Sequence, residues 1–415
     1  MASVASHAIS TNGLPAYLWS KHQTDNMRIL IIHNFYQQFG GEDNAVLEAI
    51  RVLEKENEVC LYSRNNDELR NLSLVRKIGK ALALASGWET KRRIQEIVKT
   101  FRPDVAYVHN IYPLISPVVY HVLHELRVPI VQVLHDFRPI CPNGWFYNRL
   151  GICERCKFGN YFQAIRFRCM RNSYWLSAVY AAIMAYARIS GSLYKIDKFL
   201  CLSEFSRQKL ISVGFASQRI LVLPHGIESS TITPNVSPGD YFAYLGRLSP
   251  EKGLWTIIRA VERLDNVTLK IAGTGPLAKP LEDYIRQNGI SNIELVGFLS
   301  GSAKADFLGR STAVVVASEW YEMFGLVILE AWAAGKPVIG SRVGSIPNIV
   351  EHLRTGLLFE PGNDSDLAGQ IELLATSPGL AEQLGAQARK HVEAAYGTIA
   401  IEHKLLDLFK IVSSS

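Results

Sequence analysis

The sequence lacks any apolar run long enough to cross a lipid bilayer, for which about 20 residues are needed. Its most apolar stretch, residues 174–187 (YWLSAVYAAIMAYA), has 14 residues and is interrupted by Ser177 and Tyr180. We expect it to form a buried or surface-docking helix. Residues 1–26 also lack the basic and apolar regions of a secretory signal. They are predicted to be a flexible tail on a cytoplasmic protein, and Met27 is a candidate start.

The sequence has no low-complexity tracts, and 20% of its residues are charged and 10% aromatic. This composition is typical of a soluble globular protein and argues against a disordered or fibrous one. A chain of 415 residues, of which 48% are hydrophobic, is long enough for two or three domains that each bury a core.

Acidic residues are scarce in the first half of the sequence. Residues 27–221 hold 27 Lys and Arg against 16 Asp and Glu, whereas residues 222–415 hold 16 against 21. The halves therefore carry formal charges of +11 and −5. An N-terminal half that faces an anionic membrane leaflet or a phosphate-bearing substrate would explain this asymmetry, and ordinary solvated surface charge is the alternative.

Short apolar runs alternate with longer amphipathic segments along most of the chain, which predicts βαβ units around parallel sheets. The expected fold class is α/β, with two doubly wound domains that face each other across a cleft. We predict a first domain at 27–226 with an irregular insert at 138–172, a linker at 227–240 and a second domain at 241–397. A last helix follows at 398–415. The predicted strands lie near 28–33, 58–62, 104–109, 129–134, 198–202, 241–246, 267–272, 293–297, 313–317, 337–340 and 356–359.

The segment YLGRLSPEKGLWTII (244–258) predicts a strand, a tight turn and a helix that begins near Gly253 or Leu254. Arg247 and Lys252 flank the loop. A helix N-terminus offers unpaired amides and a positive dipole end, so two added cations would suit a diphosphate. An ordinary loop with two solvated cations remains the alternative.

The segment EWYEMFGLVILEAW (319–332) places Glu330 in an almost wholly apolar helix that is predicted to start near Phe324 or Gly325. A carboxylate there needs hydrogen-bond donors, which the vicinal hydroxyls of a ribose would supply. Glu322, at the mouth of the helix, is a candidate to bind sugar hydroxyls together with the amides of Phe324, Gly325 and Leu326. A structural pairing of either Glu with Lys or Arg stays open.

The two glutamates form an E-x7-E pair, and further motifs surround them in order: GRLSPEKG, AGTGP, VGF, AGKPVIGSRVGSIPNIV and TGLLFEPGN. With these motifs, the C-terminal half resembles the donor-binding domain of family 4 retaining glycosyltransferases. The resemblance covers about 120 residues and implies the GT-B fold, with two Rossmann-like domains around a cleft.

The resemblance implies a role for each motif residue. Arg247 and Lys252 would hold the diphosphate of a UDP- or GDP-linked sugar and stabilise the charge that develops as the glycosidic bond breaks. Glu330 would hold the ribose and Glu322 the transferred sugar. The family is described by front-face attack, in which the departing phosphate receives the acceptor proton. Because the sequence has no Asp-x-Asp motif where a bridging metal would be expected, we predict metal-independent catalysis.

The N-terminal half resembles the acceptor domain of the same family more loosely. Gly40 and Gly41, after the first strand, would let backbone amides approach the donor phosphate. His135, in VLHDFRP, is predicted to contact the donor sugar or to orient the acceptor, and His109 is a weaker candidate. A flexible Gly loop and a hydrogen-bonded structural histidine are the alternatives. Asp136 would be only a guess for a second carboxylate at the reaction centre.

Four of the six cysteines lie in the insert at Cys141, Cys153, Cys156 and Cys169. In a reducing cytoplasm this C-x11-C-x2-C-x12-C spacing favours a structural zinc site over disulfides, with a reduced cluster or a redox role as alternatives. The insert is basic and aromatic and leads into the apolar stretch 174–187, which suggests a surface that binds lipid or lipid phosphate. Some bacterial surface-polysaccharide members of the family carry a similar Cys-rich insert.

The predicted function is retaining transfer of a sugar from a nucleotide donor to an acceptor hydroxyl of a lipid-linked or surface-polysaccharide precursor. The predicted location is the cytoplasm, with peripheral association at the inner face of the membrane. A sugar-nucleotide epimerase of the same architecture is the rival enzyme, and it would need no acceptor. A zinc-containing nucleic-acid-binding protein is the rival of another class, but it leaves the donor-site motifs unexplained, so no nucleic-acid partner is expected.

Overall fold

The computed structural model describes residues 26–37, 40–69 and 87–414. The predicted N-terminal tail, except Asn26, lies outside the described residues. So do positions 38 and 39 of the loop that precedes Gly40 and Gly41.

The first sheet has six parallel strands in the order β2-β1-β3-β4-β7-β8. Its strands are apolar runs buried on both faces, as expected where helices cover each side of a parallel sheet. The strands are β1 Arg28–Phe35, β2 Glu58–Asn65, β3 Val105–Val108, β4 Ile130–Leu134, β7 Lys198–Cys201 and β8 Ile220–Val222, and the insert adds a hairpin of β5 Tyr147–Asn148 and β6 Gly151–Ile152. The α-helices of this half are α1 Gly41–Leu53, α2 Trp88–Phe101, α3 Val118–Glu125, α4 Phe162–Arg166, α5 Tyr174–Ile189 and α6 Glu204–Ile211.

The second sheet also has six parallel strands, in the order β11-β10-β9-β12-β13-β14. Its strands are β9 Tyr241–Leu245, β10 Leu269–Ala272, β11 Ile293–Gly297, β12 Ser311–Val316, β13 Val338–Ser341 and β14 Gly356–Phe359. Its helices are α7 Leu254–Val261, α8 Ala278–Gln287, α9 Gly301–Gly309, α10 Leu326–Ala333, α11 Ile346–Ile349, α12 Asp364–Thr376, α13 Pro378–Ala395 and α14 Thr398–Ser413.

The predicted fold class is confirmed: the chain forms two parallel, doubly wound α/β sheets. Every predicted strand overlaps an observed strand, and the predicted and observed ends differ by at most three residues. The edge strand β8 and the hairpin of the insert were missed, because each is only two or three residues long. The apolar residues of NAVLEAIRVLEKEN (44–57) recur every three or four positions and predict the first helix there. The observed helix begins at Gly41, where the Asp43 side chain accepts a hydrogen bond from the Gly40 amide.

The last helix and the first sheet share a hydrophobic core. The ring of Phe409 in α14 contacts the ring of Tyr107 in β3, with centroids 5.1 Å apart. Both residues are buried in one cluster that also contains Trp332 of α10. The chain therefore crosses from the second sheet back to the first after α13, and this packing joins the two halves.

The segment 227–240 is fixed to the second half by polar side chains. Arg389 of α13 donates hydrogen bonds to the carbonyls of Ser229, Ile232 and Ala333. The Lys336 ammonium is buried and donates to the carbonyl of Ser237 at 2.7 Å. Burial lowers the pKa of Lys336 to about 8.

Among the described residues, no helix combines the length and the apolar character that a membrane-spanning segment requires.

Replacing Arg389 with Ala should lower the unfolding temperature by several degrees, because three carbonyls lose a shared donor at a cost of about 1–3 kcal/mol for each buried group left unsatisfied. The matched control is Arg310→Ala, whose exposed ion pair with Asp240 should contribute little. Differential scanning fluorimetry measures both variants. Equal melting temperatures for the two variants would contradict this role of Arg389.

Candidate functional site

The central crevice lies where the strand order of the second sheet reverses. β9 and β12 are neighbours in this sheet, but their connections run to opposite sides. In doubly wound sheets, ligands bind outside the carboxyl ends of the strands at this point. The loops that follow the two strands, 246–253 and 317–325, carry the residues that the sequence analysis singled out.

Gly253 allows these two loops to touch. Its φ is +68°, and a Cβ at this position would lie 1.9 Å from the carbonyl oxygen of Ala317 at the end of β12. A residue with a side chain would have to push the loops apart. The close approach places Lys252, at the end of one loop, against Glu322 in the other.

Lys252 and Glu322 form the charged centre of the site. The Lys252 ammonium lies 2.6 Å from Oε2 of Glu322, which also accepts hydrogen bonds from Ser318 Oγ at 2.8 Å and Trp320 Nε1 at 3.1 Å. Burial acts to raise the pKa of Glu322, but the charge of Lys252 and these hydrogen bonds outweigh it and lower the pKa below its ordinary value. Glu322 is therefore an ionised acceptor in a largely buried position.

A second glycine packs against the Glu322 backbone. Gly344 has a φ of +61°, and a Cβ there would lie 2.4 Å from the Glu322 amide nitrogen. The Ser345 amide donates to the Glu322 carbonyl at 2.9 Å. The loop that carries the carboxylate is thus held from behind by the turn that follows β13.

Arg247 stands beside this pair with its side chain exposed. The Tyr244 hydroxyl donates to the Arg247 carbonyl at 2.7 Å and fixes the loop. Within the described part of the chain, the guanidinium forms no salt bridge. The exposed guanidinium of Arg247 thus has no ion-pair partner in this part of the chain, whereas the charge of Lys252 is balanced by Glu322.

Helix α10 begins at Leu326, with Gly325 as its N-cap, which is two residues after Phe324 and one after Gly325, the two starts expected from the sequence. Phe324 is buried, and its ring contacts His225 with centroids 5.5 Å apart. A Cβ on Gly41 of the first half would lie 3.6 Å from Leu326 Cδ1. Leu326 at the start of α10 therefore lies opposite Gly41 at the start of α1.

Glu330 accepts a hydrogen bond from Lys304 of α9, with 2.7 Å between Nζ and Oε1. Pairing with a Lys or Arg was one of the two readings left open by the sequence, and the sequence did not identify Lys304 as the partner. Both side chains are about a quarter to a third exposed. Among the described residues, no hydrogen bond reaches Oε2 of Glu330, so the carboxylate keeps the capacity to accept a further donor.

Gly40 and Gly41 differ in their surroundings. The Gly40 amide donates to Asp43 Oδ2 at 3.0 Å, so it is occupied within the chain. A Cβ on Gly40 would meet nothing within 4 Å. Close packing therefore does not explain the glycine at position 40, whereas Gly41 faces the opposite half of the protein.

Four histidines form a cluster near the carboxyl ends of the first-sheet strands. His109 Nδ1 and His135 Nε2 lie 2.8 Å apart, and the His135 ring stacks on His225 with centroids 5.6 Å apart. His33 is fully buried and pairs with Asp43 at 2.9 Å. Burial lowers the pKa of all four, that of His225 to about 4, which makes them neutral at pH 7.

Sequence reasoning missed His33 and His225. His33 lies at the end of β1, next to the end of β3 that precedes His109, and adjacency in the sheet was the signal that could have grouped them. His225 follows β8, a strand that the apolar pattern did not predict.

A cavity of about 20 Å³ lies beside His135 and is large enough for one water molecule. Asp136 and Arg138 line it and form an ion pair at 3.1 Å. Glu42 completes the wall and accepts from the Tyr36 hydroxyl at 2.8 Å. Burial and the charge of Asp136 raise the pKa of Glu42 to about 8. The first half of the chain thus contributes two carboxyl groups, and the sequence analysis named only Asp136, as a guess.

The four cysteines of the insert are reduced thiols. Burial raises the pKa of Cys141 and Cys156 to about 12, and each pKa is raised further by neighbouring cysteines of the insert. Within the described ranges, no three or more His, Cys, Asp or Glu side chains are grouped so as to hold a metal ion. The thiols are neighbours, but they do not form a metal site in this arrangement.

The insert also contacts the loop that carries Glu322. Glu154 accepts hydrogen bonds from Lys157, Lys209 and the Tyr321 hydroxyl, the last at 2.9 Å. Burial acts to raise the pKa of Glu154, but these donors lower it to about 2. The ring of Trp145 meets the ring of Trp320 edge-on at 5.6 Å. The first half of the chain therefore contacts the loop that carries Glu322 at Trp320 and Tyr321.

Several proteins are similar to this chain. An uncharacterized glycosyltransferase of Methanocaldococcus jannaschii is 33% identical over 191 residues, which are 46% of this chain and 52% of that protein. The lipopolysaccharide core biosynthesis glycosyltransferase LpsD of Rhizobium meliloti is 32% identical over 176 residues, 42% of this chain and 50% of the relative. The match thus spans about half the length of these curated relatives.

The crystal structure of HepE from Anabaena in complex with UDP is 17% identical and has a TM-score of 0.66, covering 92% of this chain and all of the other. At this identity the likeness establishes the fold. Residues 39–231 match the family described as Glycosyltransferase Family 4, and residues 229–391 match Glycosyl transferases group 1. Together the two matched segments span residues 39–391, and with the two-sheet fold they identify the chain as a GT-B, glycosyltransferase family 4-like protein.

Proposed function

We propose that this protein is a retaining glycosyltransferase that moves a sugar from a nucleotide-sugar donor to a hydroxyl of a lipid-linked or surface-polysaccharide precursor. The observation that carries the proposal is the Lys252–Glu322 pair at the switch point between β9 and β12, with Arg247 exposed beside it. Lys252 is a cation suited to a diphosphate, and the adjacent Glu322 is an ionised hydrogen-bond acceptor suited to sugar hydroxyls.

Binding of the donor exchanges partners within this centre. The diphosphate takes the ammonium of Lys252, and Glu322 keeps its hydrogen bonds from Ser318 and Trp320. The carboxylate released from Lys252 then accepts from hydroxyls of the transferred sugar. The Lys252–Glu322 pair is neutral before the donor arrives, and once the donor is bound the charge of Lys252 faces the diphosphate together with that of Arg247.

Catalysis follows from charge that grows on the diphosphate. As the bond between the anomeric carbon and the phosphate oxygen breaks, Arg247, Lys252 and the amides at the start of α10 stabilise the leaving group without moving. The acceptor oxygen forms the new bond on the same face of the sugar, and its proton passes to the departing phosphate oxygen. No step of this sequence uses a metal ion.

The remaining site residues bind and orient. Glu330 accepts from the ribose hydroxyls, and Lys304 holds its carboxylate in place. Gly41 contributes backbone close to the phosphates. His135 is neutral and hydrogen-bonded to His109, so it contacts the donor sugar or orients the acceptor as a neutral ring rather than as a cation.

The acceptor class rests on two supports. The similar protein of Rhizobium meliloti is named as an enzyme of lipopolysaccharide core biosynthesis. The first half of the chain carries the positive excess and the polar cavity beside His135, which suits a glycan joined to a phosphate-bearing lipid. A cytoplasmic protein that works at the inner face of a membrane fits both.

Replacing Arg247 with Ala should lower kcat about 100-fold or more with a smaller change in KM, because the lost charge stabilises mainly the transition state. Arg286→Ala, an exposed arginine of α8, is the control and should leave both constants unchanged. Steady-state kinetics with donor and acceptor measure this. Retention of kcat within twofold in Arg247→Ala would overturn the catalytic assignment. Turnover of the donor without acceptor to an isomerised sugar nucleotide would indicate an epimerase instead.

One of UDP, GDP and ADP at about 100 times its Kd should stabilise the protein by about 2.7 kcal/mol, with the same shift in EDTA. A thermal-shift panel measures the melting temperature with each nucleotide, with and without chelator. Lys252→Ala should lose most of the shift, whereas Lys279→Ala, an exposed lysine, should keep it. If no nucleotide raised the melting temperature, the donor site would be wrong and the nucleic-acid-binding alternative would return.

The zinc hypothesis for Cys141, Cys153, Cys156 and Cys169 predicts one zinc ion per chain by elemental mass spectrometry. The spacing of the four cysteines in the sequence supports it, whereas within the described residues their side chains are not grouped so as to hold a metal ion. Replacing Cys153 and Cys156 with Ala together should remove the zinc, whereas Cys60→Ala, a buried cysteine of β2, should not. Zinc below about 0.1 per chain in the wild-type protein would leave a reduced cysteine cluster.

A further inference from the structure

The exposed hydrophobic side chains are concentrated in one stretch of the chain. Nine of the twenty large hydrophobic side chains exposed in the described residues lie between positions 150 and 194, including six of the eight aromatic ones. These nine are Leu150, Ile152, Phe158, Phe162, Tyr174, Trp175, Tyr186, Ile189 and Tyr194. Chance placement on the surface would spread them over the whole molecule.

Helix α5 forms the centre of this surface. Its first 14 residues, 174–187, contain no charged side chain. Ser177, Ala181, Met184 and Ala187 are buried against the protein. On the opposite face the outward stripe is also apolar, and Trp175 and Ile189 are 56% and 86% exposed. A surface helix of a globular protein normally carries polar residues on its outer face.

Neighbouring elements extend the stripe. Helix α4 packs alongside α5 and exposes 67% of Phe162. Gly159, next to the exposed Phe158, lies so close to Arg188 that a Cβ would meet its Nε at 3.0 Å. The loop before α4 therefore lies at the end of α5, and the apolar side chains of the insert and of the helix form one surface.

Basic residues surround the apolar side chains. Residues 149–195 contain eight Lys and Arg and one acidic residue, Glu154, a formal excess of +7. Glu154 is already bound by Lys157, Lys209 and Tyr321. No salt bridge to a carboxylate of the described chain engages Arg149, Arg155, Arg166, Arg168 or Arg171. The positive charge of this surface is thus left for an external anion.

We propose that residues 149–195, which we call the docking surface, bind an anionic lipid bilayer, with α5 lying in the interface. Exposed Trp and Tyr beside unpaired Arg match the layer in which headgroup phosphates meet acyl chains. A soluble acidic partner would account for the arginines but not for an uncharged outer stripe. A second copy of this chain would bring two surfaces of equal positive charge together.

The inner face of α5 reaches the cleft. The Tyr112 hydroxyl lies 3.7 Å from the sulfur of Met184, and Tyr112 lines the cavity beside His135. One helix therefore separates the proposed bilayer from the acceptor side of the crevice. The docking inference goes beyond the proposed glycosyl transfer and does not depend on it, since its test uses no donor and measures no turnover.

The test is co-sedimentation of the full chain with vesicles of phosphatidylglycerol and phosphatidylcholine, compared with phosphatidylcholine alone. We expect binding to the anionic vesicles that weakens as salt is raised. The triple variant R166E/R168E/R171E should bind about tenfold less tightly or weaker, and so should F158S/F162S/W175S. The matched controls are K279E/R286E/R310E and L353S/L373S/I399S, which alter exposed residues elsewhere and should bind like the wild-type protein.

Quenching of tryptophan fluorescence by vesicles of brominated phosphatidylcholine and phosphatidylglycerol locates the contact between protein and bilayer. It uses conservative variants that should keep the fold. Wild-type protein should be quenched, W175F should bind but lose most of the quenching, and W88F should keep it. Circular dichroism checks that each variant is folded.

Three outcomes would overturn the proposal: equal binding to both vesicle types, binding unchanged in both docking-surface variants, or a stable dimer in solution that F158S/F162S/W175S dissolves. The last would assign the surface to a second copy of this chain. If the docking-surface variants lose vesicle binding but keep the nucleotide-induced thermal shift, the result supports docking and leaves the proposed donor site unaffected.

Discussion

The structure of the site depends on a buried carboxylate that is kept ionised. Glu322 is 8% exposed, and a charge at such a depth is costly unless it is paired and hydrogen-bonded. Lys252, Ser318 and Trp320 supply three donors to one oxygen, Oε2. Ser318 and Trp320 belong to the loop of Glu322 itself, whereas Lys252 reaches it because two loops from neighbouring strands touch, and the glycine at position 253 permits that contact. The charged centre therefore depends on the geometry of the two loops, and that geometry depends on the order of the strands.

The two halves of the chain meet around the same centre. The backbone of the Glu322 loop is supported by Gly344 and Ser345 from its own half, and Tyr321 is held by Glu154 of the Cys-rich insert. Phe324 reaches across to His225. A change in the insert would therefore be transmitted to the loop that carries the carboxylate through side chains in direct contact. The insert contributes to the proposed lipid-binding surface and also contacts the loop that carries Glu322.

Much of the fold followed from apolar periodicity, because strands buried on both faces of a parallel sheet are continuous apolar runs. The strand β1 and the strand β12 are examples. Where an element is too short to show a period, as in β8 and the hairpin of the insert, sequence pattern carried no signal. The observed starts of α1 and α10 differ from the predicted starts by a few residues. Helix ends are fixed by single contacts, such as the hydrogen bond from the Gly40 amide to the Asp43 side chain, which periodicity does not reveal.

The sequence by itself determined the fold class, the order of the motifs and the residue types at the proposed donor site: Arg247, Lys252, Glu322 and Glu330 were named from spacing and resemblance. Only the tertiary structure decided their partners. Lys304 lies 26 positions from Glu330, and Lys252 lies 70 positions from Glu322. The four clustered histidines come from four different strands or the segments that follow them. Contacts between residues so far apart depend on which strands become neighbours, and that is a property of the assembled sheets rather than of any local segment.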